Sequence, residues 1–230
     1  MHALLSSSPF RHAVSRGTRA RSAVARMTCR SIVSQLGRVA PAALTVLLVI
    51  TPDLAAGDST EAWVALVEGG HVALIRHGNA PGPTLGQGDP PGFKIDDCMT
   101  QRNLDEKGRA QAKALGESFH HRGVRVDRIQ SSPWCRCMET ARLMAVGGVE
   151  SSWALVPATD RNPNAPAALR TLKEMVSNWQ GPGTLVLVTH GLTIRAMTGT
   201  VPAEAETVVL KPTPGSGSGG RIVGRIPAPQ

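Results

Sequence analysis

The apolar runs of this chain are short, and they alternate with stretches of helical period. HVALIR at 71–76 and TLVLVT at 184–189 have unbroken apolar centres of strand length, the pattern of strands buried on both faces. Between them, residues 105–121 (DEKGRAQAKALGESFHH) open with acids suited to a helix N-terminus and end before Gly123, which predicts a helix. VDRIQ at 126–130 predicts a short strand, and a helix is expected from Pro133 to about Val146. A further strand is expected near 154–156 and a further helix over 165–179. Residues 59–68 (STEAWVALVE) begin with Ser and Thr as cap candidates and continue at helical spacing. ETVVL at 206–210 and RIVGRI at 221–226 read as closing strands joined across the flexible PTPGSGSGG link. This alternation predicts an α/β fold: a three-layer sandwich with a mostly parallel central sheet flanked by helices. Residues 78–103, rich in Gly and Pro and containing GQGDPPG, are expected to be a loop that walls a pocket.

Residues 39–50 (VAPAALTVLLVI) are uncharged, preceded by Arg30 and Arg38 and followed by Ala55, Ala56 and Gly57. That layout is expected of an export leader over residues 1–56, with a start at Met27 as a possible alternative and a single domain over 57–230. Twelve uncharged residues fall short of the roughly 20 of a spanning helix, so no stable membrane anchor is expected. The mature protein is expected to be exported, periplasmic or extracellular. An organellar transit peptide is the competing reading of the same Arg-rich, acid-poor stretch.

The formal charge of +8 changes its meaning once located. Seven of the 25 basic residues and one of the 17 acids fall in residues 1–56, leaving 18 against 16 in the body. With four Trp, three Phe, no Tyr and no basic run interleaved with aromatics, nucleic acid is not an expected partner. Cys98, Cys135 and Cys137 remain beyond the leader. They read as three small thiols, or as a disulfide from Cys98 to either of the others, and show no paired spacing for a metal.

Two strands of the α/β pattern end in histidine, at His77 and His190. Ligands of open α/β sheets bind at the carboxyl ends of strands, so the two imidazoles are expected to share one crevice. Arg76 precedes His77, and SSPWCRCMETA at 131–141 carries Arg136 through a Ser-Ser-Pro turn onto the first turn of a helix. Cations near a helix N-terminus make an anion site.

The triplet Arg76-His77-Gly78 after an apolar strand, Ser132-Pro133 with Arg136 and then Thr140-Ala141, and a late strand ending His190-Gly191 together resemble the histidine phosphatase superfamily. The blocks cover most of residues 70–200. The resemblance implies a phosphoglycerate mutase-like fold and a phosphohistidine formed on His77. It also implies Arg76 and Arg136 as clamps on the phosphate, with His190 donating to the phosphoryl oxygens. Loose phosphoryl-transfer transition states need such clamps and an in-line nucleophile, and nearby arginines favour the neutral imidazole that attack requires. No cofactor and no metal are expected.

The chain departs from the family's better-known patterns at the proton donor, because Gly191 follows His190 and no Glu stands in the usual place. Asp160 is the candidate acid and Asp97 the second. Gly78, Gln101 and Arg102 are candidate substrate contacts, whereas Glu139 and Thr140 are expected to orient the Arg136 helix. Only 54 positions separate Arg136 from His190, which leaves little room for a cap domain and favours hydrolysis over mutase chemistry. The expected substrate is a small or envelope-linked phosphorylated molecule. A non-catalytic anion-binding module and a metal-dependent hydrolase are the alternatives.

Overall fold

The computed structural model describes residues 54–82, 88–159 and 162–230. The expected leader therefore lies almost entirely outside the described residues, as does Asp160. The strands are β1 (Val72–Arg76), β2 (Val126–Ser131), β3 (Val149–Ser151), β4 (Thr184–Thr189), β5 (Thr207–Pro212) and β6 (Gly220–Ile226). The helices are α1 (Leu54–Glu68), α2 (Glu106–His121), α3 (Cys135–Leu143), α4 (Ala165–Ser177) and α5 (Gly191–Thr198).

The strands form one sheet in the order β3-β2-β4-β1-β5-β6. β3, β2, β4 and β1 run parallel, while β5 is antiparallel to both β1 and β6. Period-two alternation divides the apolar side chains between two layers. Ala73, Ile75, Val186, Val188 and Val209 pack with Leu66 of α1, Leu115 and Phe119 of α2 and Ala141 of α3. Val72, Leu74, Leu185, Leu187, Val208 and Leu210 pack with Leu172 and Val176 of α4 and Ile194 of α5. The fold is the expected three-layer sandwich, and β1 and β4 are buried on both faces as their apolar runs require.

Three elements differ from expectation. Helix α1 starts at Leu54 rather than at Ser59. The strand expected near 154–156 is absent: β3 lies at Val149–Ser151, and Trp153–Leu155 is a 3-10 turn. β3 is an edge strand with two exposed residues of three, so it carries no apolar signal, whereas Ala154 and Leu155 gain their burial by tucking the turn against α4. Helix α5 was not anticipated, because its eight residues are too few to display a period.

Glycine seats α2 against its neighbours. A Cβ on Gly116 would lie 1.9 Å from the Met144 carbonyl oxygen, and one on Gly108 would lie 2.1 Å from that of Asn79. Asp105 caps α2 by accepting from Gly108 N at 2.8 Å and also accepts from Asn79 Nδ2 at 2.7 Å. The chain leaving β1 is thereby tied to the start of α2. Among the described residues, no helix is long and apolar enough to cross a membrane.

Candidate active site

β1 and β4 are adjacent and parallel, but the helices that follow them, α2 and α5, go to opposite faces of the sheet. A crevice opens where neighbouring strands part in this way. His77 directly follows β1 and His190 directly follows β4, so both line it. Their ring centroids are 5.5 Å apart and both side chains are buried.

The orientation of His77 is set by its own backbone. Nδ1 lies 2.8 Å from the Gly78 carbonyl oxygen. A carbonyl can only accept, so Nδ1 carries the hydrogen and Nε2 of the neutral ring keeps its lone pair. Burial first and Arg136 second hold this imidazole well below the ordinary value of 6.5, with Arg76 and Arg102 adding to the effect against the pull of the Gly78 carbonyl. The Gly78 N–H donates to Thr140 Oγ1 at 3.1 Å, and Thr140 donates in turn to the Arg136 carbonyl at 2.7 Å. Gly78, expected as a substrate contact, is instead a junction: its N–H is taken up by α3, and its missing Cβ admits the Gly108 backbone, 2.5 Å from where that atom would stand.

Three arginines surround the histidines. Arg136, on the first turn of α3, donates from Nη1 to Asp89 Oδ1 at 2.7 Å and directs Nη2 toward His190 Nδ1 at 3.4 Å. Arg76 donates from Nη1 to the Pro202 carbonyl at 2.8 Å and from Nη2 to Glu204. Arg102 donates from Nη2 to the Ala80 carbonyl at 2.6 Å, and burial followed by Arg136 lowers its pKa. The Nε–H groups of all three are buried without a hydrogen-bond partner. Buried donors are rarely left so, and these belong to cations coupled to one another and to His77. The arrangement suits an anion with several acceptor oxygens.

His190 is held from two sides. Its Nε2 lies 2.9 Å from Ser132 Oγ, and Cys137 Sγ approaches Nε2 at 3.6 Å. Burial, then Arg136 and His77, keep this imidazole well below 6.5. Burial pushes the Cys137 thiol up to about 12, so it stays protonated beside the ring.

The remaining expectations divide. Gln101 is buried, but its Nε2 donates to the Lys94 and Ile95 carbonyls at 2.9 Å each and its Oε1 accepts from Cys135 N at 3.0 Å. It organises the loop and the start of α3, and both of its amide N–H donors are already used. Asp97 turns away as well, accepting from Met99 N to cap a 3-10 turn at Cys98–Thr100. Glu139 pairs with Arg109 at 2.7 Å, bracing α3 against α2. The cysteine alternatives resolve to a Cys98–Cys135 disulfide with Cys137 free.

Four residues of the site have roles that no sequence pattern assigned. Asp89 accepts from Arg136, from Trp134 Nε1 at 2.9 Å and from Arg102 N at 3.0 Å. In GQGDPPG it reads only as turn chemistry. Ser132 is masked in the same way by the proline that follows it, and nothing near Glu204 or Trp134 marks either. Among the described residues, no three His, Cys, Asp or Glu side chains converge as metal ligands.

Residues 72–152 match the family described as histidine phosphatase superfamily (branch 1). The matched stretch contains Arg76, His77 and Arg136, while His190 lies beyond it. Over 74 residues the chain is 31% identical to the mitochondrial serine/threonine-protein phosphatase Pgam5 of Drosophila willistoni, a stretch covering 32% of this chain and 21% of that protein's length. Among solved structures, the chain is similar to the protein histidine phosphatase SixA complexed with tungstate, at 16% identity over 68% of this chain and 96% of that one, TM-score 0.47. It is also similar to a mycobacterial glucosyl-3-phosphoglycerate phosphatase, at 20% identity over 69% and 99%, TM-score 0.48.

Proposed function

We propose that the protein is a phosphatase that hydrolyses phosphomonoesters or phosphoramidates through a phosphohistidine on His77. The observation that carries this reading is the Nδ1–H bond of His77 to the Gly78 carbonyl, which leaves Nε2 unprotonated, its lone pair free, inside a ring of arginines. In the first step the Nε2 lone pair attacks phosphorus. The bond to the leaving oxygen or nitrogen breaks, and the leaving atom departs with its electron pair and takes up a proton. Arg76, Arg102 and Arg136 bind the phosphoryl oxygens as charge redistributes, and His190 faces the same group from β4. Water then attacks phosphorus, the P–N bond breaks, and inorganic phosphate leaves with the imidazole restored. Asp160 remains the proposed proton donor. No metal and no organic cofactor enters either step.

We further propose that the enzyme works outside the cytoplasm on small or envelope-linked phosphorylated molecules. The Cys98–Cys135 disulfide supports this location, since such bonds persist in oxidising compartments. Cell fractionation tests it: a cytoplasmic protein with both thiols reduced refutes it.

Phosphate release from a panel of sugar phosphates, phosphoamino acids and an aryl phosphate tests the activity. Release that resists a chelator, with a loss of roughly 10³-fold or more in a folded His77→Ala protein, is the expected result. Normal turnover by that variant refutes the phosphohistidine. A second reading, an anion-binding module without turnover, draws on the carboxylates that already occupy two of the arginines, Glu204 on Arg76 and Asp89 on Arg136. Phosphate binding without release from any substrate would favour it.

A further inference from the structure

Of the chain's four Trp and three Phe, three meet beside the candidate site. The Trp134 ring stands 5.5 Å from the His190 ring, centroid to centroid, with the planes at 83°. Trp153 lies 6.5 Å beyond Trp134 with planes at 76°, and Phe93 packs on Trp134 at 5.9 Å. Trp134 is buried and its indole N–H is bound to Asp89, so it serves as the floor of the group. Trp153 is 64% exposed.

Single exposed apolar side chains are common and need no explanation. Trp153 differs in two respects. Its backbone is fixed, because Ala154 and Leu155 on the same turn are buried, Ser152 N donates to the Ser131 carbonyl at 2.8 Å, and the Leu155 carbonyl accepts from Thr189 Oγ1 at 2.6 Å. Those bonds tie it to the carboxyl ends of β2 and β4, the same end of the sheet as His190. It is also one ring away from a residue that touches His190, and the near-perpendicular Trp134 and Trp153 form a corner. Such a corner receives a flat aromatic ring well, one face offset-stacked on Trp153 and one edge toward Trp134.

We propose that Trp153 is a specificity residue that binds the leaving group, and that the preferred substrates are phosphomonoesters of aromatic alcohols. This rests on the phosphatase reading for its chemistry but not for its geometry. The phosphate lies among Arg76, Arg102 and Arg136, while the aryl ring reaches along Trp134 to Trp153. Because Trp153 is the outer ring, bicyclic aryl groups engage it more fully than a single phenyl ring.

The test compares wild type, Trp153→Ala and Trp153→Phe on 1-naphthyl phosphate, phenyl phosphate, glucose 6-phosphate and glycerol 3-phosphate. In Trp153→Ala the kcat/KM preference for naphthyl over glycerol phosphate falls about tenfold, mainly through KM, equivalent to about 1.4 kcal/mol. Trp153→Phe retains most of the preference. Calorimetric binding of naphthylphosphonate and methylphosphonate reads the same ratio without turnover. Equal losses on all substrates, no change in the ratio, or a loss confined to glucose 6-phosphate would overturn the proposal. If no substrate is hydrolysed but naphthylphosphonate still binds through Trp153, the phosphatase reading fails and the aromatic subsite stands.

Discussion

Asp89 offers the sharpest test of how the site is held together. Its carboxylate and the Arg136 guanidinium are both 4% exposed and meet at 2.7 Å. Asp89→Ala removes the negative partner and leaves the Nη1 of Arg136 with only the Arg102 carbonyl at 3.4 Å. The same change strands the Trp134 indole N–H and the Arg102 N–H, both of which donate to this carboxylate. Breaking a buried pair by removing one partner costs about 3–5 kcal/mol, whereas an exposed pair is worth about 1 kcal/mol at most. The size of the loss therefore distinguishes a structural counter-ion from a decorative one. With a urea slope of about 2 kcal/mol/M, the unfolding midpoint should drop by roughly 2 M. The uncompensated charge is the cause, so the Asp89→Ala/Arg136→Ala double variant should be less destabilised than the sum of the singles. Inorganic phosphate should raise the midpoint of Asp89→Ala more than that of wild type, since an anion bound only by the folded state restores the missing charge. A midpoint shift under about 0.5 M, or strictly additive singles, would refute the reasoning.

Both site histidines have native pKa values below 6.5, so the unfolded chain binds protons that the folded one refuses. Stability is fully present above about pH 6.5 and is lost as pH falls from there through the depressed native values, which urea midpoints measured between pH 7.5 and 4.5 would show. A flat profile contradicts the burial of neutral imidazoles. Gly116→Ala drives a methyl group into the Met144 carbonyl, 1.9 Å from the ideal Cβ, and should destabilise by about 1–3 kcal/mol or more in thermal unfolding. Reduction of Cys98–Cys135, which closes a loop of 37 positions, should lower stability by roughly 3–4 kcal/mol in the chain-entropy treatment. It should also raise KM, because it releases the loop carrying Arg102 from the helix carrying Arg136. A protein whose urea midpoint and KM ignore dithiothreitol would contradict both expectations.

The strand and helix order apart from β3 and α5, the two-sided burial of β1 and β4, and the likeness of three short blocks to one superfamily could be read from residues close together in the chain. Each depends on local period or on side chains adjacent in sequence. The convergence of His77 and His190 was also legible, because strand ends in an α/β sheet are predictably where ligands bind. What only the tertiary structure decided is the company those residues keep. Asp89 reaches Arg136 across 47 positions and Ser132 reaches His190 across 58, and nothing local to either residue specifies that partner. Gln101, legible as a polar residue near the site, is taken up by carbonyls of its own loop, while the corner formed by Trp134 and Trp153 depends on an edge strand with almost no apolar signal. Sequence pattern records which face of an element is buried; the partner of a buried polar group depends on how separate elements dock, and no local period encodes that.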